Sequence, residues 1–100
     1  MGIDLAAKCH VKPLWVPNYE RITILPHARS RLKERNVLPS DITSAICGPD
    51  KKTFQRFGTS GGKVYLHSKK IGDAKLYVAA EIVDKHAYVV TVFWEDDQKP

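Results

Sequence analysis

"HARSRLKERNVLPSDITSAICGPDKKTFQRF" (residues 27–57) changes its apolar period part-way, and the change decides the fold. In the first half, Ala28 and Leu32 stand four apart, and Ile42, Ala45 and Ile46 mark one stripe of a second segment. Both spacings put apolar side chains on one side of a helix. Pro26 falls at a first helical position, where its missing N–H would have no intrahelical partner anyway. The first helix is expected to run to about Arg35, with Asn36 as a left-handed C-cap. Ser40 or Asp41 is expected to cap the second helix, and Gly48-Pro49 to stop it. From Lys52 onward the period becomes two.

Toward the C-terminus, TFQRF (53–57), KVYLHS (63–68), KLYVAAEI (75–82) and AYVVTVFW (87–94) are enriched in β-branched and aromatic residues. GTSGG, KKIGD and VDKH between them suit hairpin connections. A helical hairpin followed by a meander predicts an α+β domain, with the helices packed on a four-stranded antiparallel sheet. Toward the N-terminus, Arg21–Leu25 reads as a short edge strand and would make a fifth. Residues 1–20 hold Pro13 and Pro17 and no sustained period, so an irregular arm with a short helix near its start is expected. The expected organisation is therefore an arm (1–20), one α+β domain (21–95) and an acidic tail (96–100).

A chain of 100 residues suits a single domain with a modest core. Its 43% apolar and 27% charged content argues against disorder. No apolar run reaches the roughly 18 residues that would suggest a membrane span, so a soluble protein with no membrane partner is expected. The two cysteines, Cys9 and Cys47, match no zinc motif. They are expected to be unpaired, as in a reducing cytosol, and neither metal nor cofactor is expected.

Charge is more informative. Sixteen Lys and Arg against eleven Asp and Glu give +5, and residues 27–35 carry Arg29, Arg31, Lys33 and Arg35 against Glu34 alone. Such asymmetry favours a polyanionic partner. His27, Arg31 and Arg35 fall four apart, so they form a stripe beside the apolar one, whereas Arg29 and Lys33 point toward solvent. Two arginines at i,i+4 repel by a few tenths of a kcal/mol, which a bound phosphate would offset. The ordinary alternative is a solvated face with Glu34 as partial partner. At a helix N-terminus beside arginines, imidazolium is disfavoured, so His27 is expected to be neutral at pH 7 and able to accept a proton. A histidine bonded to backbone is the competing reading.

Strict alternation predicts that Leu76, Val78, Ala80 and Ile82 face the core, with Lys75, Tyr77, Ala79 and Glu81 opposite. In the last strand it groups Val89, Thr91 and Phe93 on one face and Tyr88, Val90, Val92 and Trp94 on the other. Thr91 is then a hydroxyl in a central strand, able to donate to a phosphate oxygen. Tyr65, His67, Tyr77 and Glu81 remain alternatives for a second acid/base group.

The ordered set "HARSRLKERNVLPSDITSAICGP" and "YVVTVFW" resembles the small RelE/BrnT-like toxins over about residues 24–94. These open with a His-Ala-x-x-Arg-x-x-x-Arg helix, continue with a second helix and a Pro, and finish near Val-Val-Thr-Val-aromatic. The resemblance implies a RelE/barnase-like fold. It also implies membership of a superfamily of metal-independent ribonucleases that includes colicin nucleases and delivered toxin domains of contact-dependent inhibition systems. RelE itself uses Lys, Arg and Tyr without a helix His.

On this basis the expected activity is a toxin's metal-independent RNA endonuclease, by 2′-OH transesterification, on tRNA, mRNA or rRNA. His27, Arg31, Arg35 and Thr91 would be catalytic: His27 moves a proton, the arginines hold the scissile phosphate and Thr91 orients it. Lys63, Tyr65, His67, Lys69, Lys70, Tyr77 and Glu81 would line the RNA path. An antitoxin or immunity protein, acidic where it touches the cleft, is implied as partner. The site of action would be the cytoplasm, for a free-standing toxin or a delivered domain. The alternative is a non-catalytic RNA-binding or regulatory module using the same stripe; a third reading is an inert subunit that binds another protein.

Overall fold

The computed structural model describes residues 3–5 and 21–95. In chain order the elements are β1 (Ile3–Leu5), β2 (Arg21–Ile24), α1 (Pro26–Arg35), α2 (Pro39–Cys47), β3 (Lys51–Phe57), β4 (Lys63–Ile71), β5 (Ala74–Val83) and β6 (His86–Trp94). The strands form one sheet in the order β1-β2-β6-β5-β4-β3. The architecture is α+β, with two helices on one face of the sheet, as the period change predicts.

Three details differ from the sequence reading. First, β2 is an interior strand, antiparallel to β1 and parallel to β6, so the sheet is mixed. A four-residue apolar run says nothing of its partners or their direction. Second, Ile3–Leu5 in the expected irregular arm is a strand; the short helix expected near its start, the rest of the arm and the acidic tail at 96–100 lie outside the described residues. Third, β4 continues through Lys69 and Lys70 to Ile71, so the β4–β5 connection is a two-residue turn in which Gly72 has φ +61°. That left-handed conformation costs glycine little.

The helix ends follow local chemistry. Pro26 occupies the first turn of α1, and Asn36 closes it in the left-handed region at φ 54° and ψ 46°. The α2 cap is not Ser40 or Asp41. The helix starts at Pro39, with Leu38 as its N-cap and Asp41 in its first turn. Asp41 Oδ2 instead accepts the Leu38 N–H at 3.2 Å. Gly48 ends α2 as expected. Cys47 is disulfide-bonded, which corrects the expectation of unpaired cysteines; Cys9, the sequence's other cysteine, lies outside the described residues. Disulfides persist in oxidising compartments, so cysteine content no longer argues for a cytosol.

The core lies between helices and sheet. Ala28, Leu32, Ile42, Ala45 and Ile46 meet Ile22 and Ile24 of β2, Leu76, Val78 and Ala80 of β5, and Ala87, Val89 and Val92 of β6. Each large side chain buried there stabilises the fold by about 1.5–3 kcal/mol. Val89 and Val92 share the helix side although three residues apart, because a β-bulge interrupts β6: Ala80 pairs with Val89 and Ala79 with Thr91. Strict alternation fails at Val90, and every β6 side chain beyond it changes face.

Candidate nucleic-acid interface

The register sorts the candidate residues by sheet face. One rung on the helix side reads Lys52–His67–Val78–Val92, the next Phe54–Tyr65–Ala80–Val89, and the next Phe57–Lys63–Ile82–Ala87. Lys63, Tyr65, His67 and Lys69 therefore share the face carrying α1. The opposite face reads Thr53–Leu66–Ala79–Thr91 and Lys51–Ser68–Tyr77–Phe93, and it also holds Lys70 and Glu81. Thr91 lies across the sheet from α1, so it does not join His27, Arg31 and Arg35 around one phosphate. The bulge at Val90 is the cause.

The α1 stripe also divides. Arg35, whose position on the helix is close to that of Leu32, turns toward the sheet. Its Nη1 donates to the Val92 carbonyl at 2.7 Å, and Trp94 Nε1 donates to the Arg35 carbonyl at 2.6 Å. This clasp ties the end of α1 to the end of β6. Arg31 pairs with Glu34 at 2.7 Å on the surface, where such pairs contribute little. His27 is exposed in the first turn. Arg29 and Lys33, which the sequence reading sends to solvent, occupy the other flank of α1. With Pro26 and Ser30 they line a hollow of about 310 Å³. They also border a larger one of about 540 Å³ that reaches Asn36 and Leu38. Among the described residues no carboxylate pairs with either cation. Their helical spacing was visible in the sequence, and the smaller hollow is lined by α1 alone; the far wall of the larger one comes from the α1–α2 connection and was not visible.

Several expected RNA contacts have structural work instead. His67 is fully buried, and its Nδ1 donates to the Val78 carbonyl at 3.2 Å. Burial, aided by the charge of Lys52, lowers its pKa to about 4, so it is a neutral core residue at pH 7. Lys69 Nζ donates to the Gly48 carbonyl at 2.7 Å and fastens the end of α2. Glu81 is 4% exposed, and its Oε2 accepts the Ser60 and Gly62 N–H groups, both at 2.9 Å. It holds the β3–β4 loop in shape. A Cβ at Gly58 would fall 2.1 Å from its carboxyl carbon, so that loop requires glycine. On the opposite face Tyr77 stacks on Phe93 at 5.1 Å, and Lys75 rather than Lys70 lies over its ring.

The structure adds two groupings that sequence reasoning missed. Thr23 Oγ1 and His86 Nε2 are hydrogen-bonded at 2.6 Å, and His86 stacks on Tyr88 at 3.9 Å. Arg21 and Lys85 join these two rings around a hollow of about 420 Å³. At the β3 edge, Phe54 and Phe57 are 46% and 73% exposed, and among the described residues no strand lies beyond β3 to cover either. Among the described residues no group of three metal-ligating side chains gathers, and no helix is long and apolar enough to cross a membrane.

Residues 24–94 match the family described as Domain of unknown function (DUF4258), which takes in everything from the end of β2 to the end of β6. The chain belongs to that family. The boundaries of the DUF4258 match enclose both the α1 cations and the Arg35–Trp94 clasp, and they leave out β1 and most of β2. No curated protein and no solved structure matches this DUF4258 chain.

Proposed function

We propose that this protein is an RNA-binding domain of the RelE/BrnT-like kind that cleaves RNA without a metal. One observation carries the reading: α1 presents His27, Arg29, Arg31 and Lys33 on its outer flanks against the single acid Glu34, with Arg29 and Lys33 lining an open hollow of about 310 Å³. A helix so charged attracts a phosphate backbone, and each phosphate contact releases condensed counterions. His27 and Arg31 stand one turn apart on the same flank. In the proposed reaction the His27 imidazole takes the proton of a ribose 2′-OH, O2′ attacks phosphorus and the P–O5′ bond breaks. O5′ leaves with a proton from water or imidazolium, and Arg31 stabilises the charge on the phosphoryl oxygens. Arg35 serves this site by holding α1 on β6, and Thr91 has no part in it. Toxicity to the producing cell, and an acidic antitoxin or immunity protein covering α1, belong to the same proposal.

A second reading, a non-catalytic RNA-binding module, is favoured by a specific observation. Two of the four residues expected to surround the phosphate are elsewhere: Thr91 is across the sheet and Arg35 is engaged with Val92. The test is incubation of wild type and His27→Ala with total tRNA and with ribosomes in EDTA. Cleavage by the wild type alone, with RNA affinity kept by both, supports the nuclease. Equal binding and no cleavage by either supports the module. No salt-dependent binding removes both.

A further inference from the structure

We infer that the outer ribbon of the sheet, β3 with the start of β4, is a stacking platform for unpaired bases of single-stranded RNA. The inference rests on the RNA reading above and names the form of substrate it would take.

Phe57 and Phe54 are large apolar side chains left in water at the sheet edge, 73% and 46% exposed. They form one cluster: their rings meet edge-to-face at 5.4 Å, and Phe54 meets Tyr65 the same way at 5.9 Å. Lys52 lies over the Tyr65 ring at 4.4 Å, and Lys63 is the cross-strand partner of Phe57. The cluster is therefore aromatic and cationic together. That is the composition by which proteins hold single strands: cations track the phosphates, and rings take the π-faces that every base presents. Paired bases in a duplex keep those faces buried, so the platform selects unpaired RNA.

The other occupants of an exposed edge fit less well. A second copy paired antiparallel about Phe54 would set Lys52 against Arg56 on both sides, and like charges directly opposed destabilise a strand pair. A peptide strand would have to extend a ladder that shifts register between Phe54 and Arg56, and bulges and edge lysines are the devices that discourage such addition. What remains for recognition on this ribbon is side chains. The platform also lies on the α1 side of the sheet, on the rung that ends at Val89, where Leu25 N–H bonds the Val89 carbonyl just before α1 begins. Three strand spacings, roughly 14 Å, separate β3 from β6.

The test is fluorescence anisotropy with a labelled single-stranded oligouridine and with the same label on a blunt RNA duplex. The proteins are wild type, Phe57→Ala, Phe57→Trp and Arg29→Ala, each checked for an unchanged thermal melt. Wild type should prefer the single strand, and Phe57→Ala should weaken that binding roughly 5- to 150-fold while leaving duplex binding unchanged. Phe57→Trp, which keeps a stacking face, should restore it. If Phe57→Ala binds the single strand within twofold of wild type while Arg29→Ala is weakened, the platform is overturned and the α1 reading stands; an acidic protein then becomes the occupant to seek. If wild type binds neither RNA, the α1 reading and the platform fail together.

Discussion

Arg35 and Val92 are 57 residues apart in sequence, and the guanidinium of one donates to the carbonyl of the other at 2.7 Å, at the bulged end of β6. The contact changes what an arginine in a basic stripe means. A cation read from spacing as a phosphate ligand is the clasp that holds the helix carrying the other cations. Arg35→Ala should therefore lower stability by about 1.5–3 kcal/mol, the range for hydrogen bonds involving charged groups. Arg31→Ala, which removes only a surface pair, should change it by less than about 1 kcal/mol. Urea denaturation of both variants separates the roles; equal effects would contradict them.

RNA affinity should sort the cations the other way. Arg29→Ala, Arg31→Ala and Lys33→Ala should each weaken binding and reduce the slope of log K against log salt by about 1. Thr91→Ala, on the far face, should leave both affinity and slope unchanged. A loss with Thr91→Ala equal to that of Arg31→Ala would mean that both sheet faces touch RNA.

For cleavage, His27→Ala should reduce the rate by roughly 10²- to 10⁴-fold, the usual worth of a positioned proton-transfer group, with affinity kept. Gel analysis of a tRNA substrate in EDTA measures it. His86→Ala is the control: a comparable loss there would move the chemistry to the Thr23–His86–Tyr88 cluster.

Acid should destabilise the fold through His67. Its folded-state pKa of about 4 lies below the ordinary 6.5, so the unfolded chain binds the proton more readily. Stability is unaffected by this group above pH 6.5 and falls as pH drops toward 4, by about 3 kcal/mol in all. His67→Gln should flatten this part of the stability–pH curve. Unchanged steepness between pH 6.5 and 4 would count against a buried neutral ring.

Glu81 predicts a loop effect. Glu81→Ala leaves the Ser60 and Gly62 N–H groups without their acceptor and should cost roughly 2–4 kcal/mol. Gly58→Ala, which crowds the same carboxylate, should destabilise too. Amide hydrogen exchange at residues 58–62 should accelerate in both.

Local chemistry was readable in the chain. Pro26, Asn36 and Gly48 mark helix ends through the conformational preferences of their own backbones, and the switch from helical to alternating period separates the hairpin from the meander. Each signal acts over a few residues, and linear order preserves it. The excess of cations on α1 is likewise a property of one segment.

Which groups meet depends on register, and register is a relation between distant segments. A single extra residue at Val90 sends Thr91 to the far face, and nothing in "YVVTVFW" distinguishes a bulged strand from a regular one. The parallel pairing of β2 with β6, the burial of His67 and the turn of Arg35 toward Val92 follow in the same way from how the sheet assembles and which face the helices cover. Side-chain identity supplies the chemical vocabulary, while the face each group occupies is set by packing of the whole core, because only the assembled sheet has an inside.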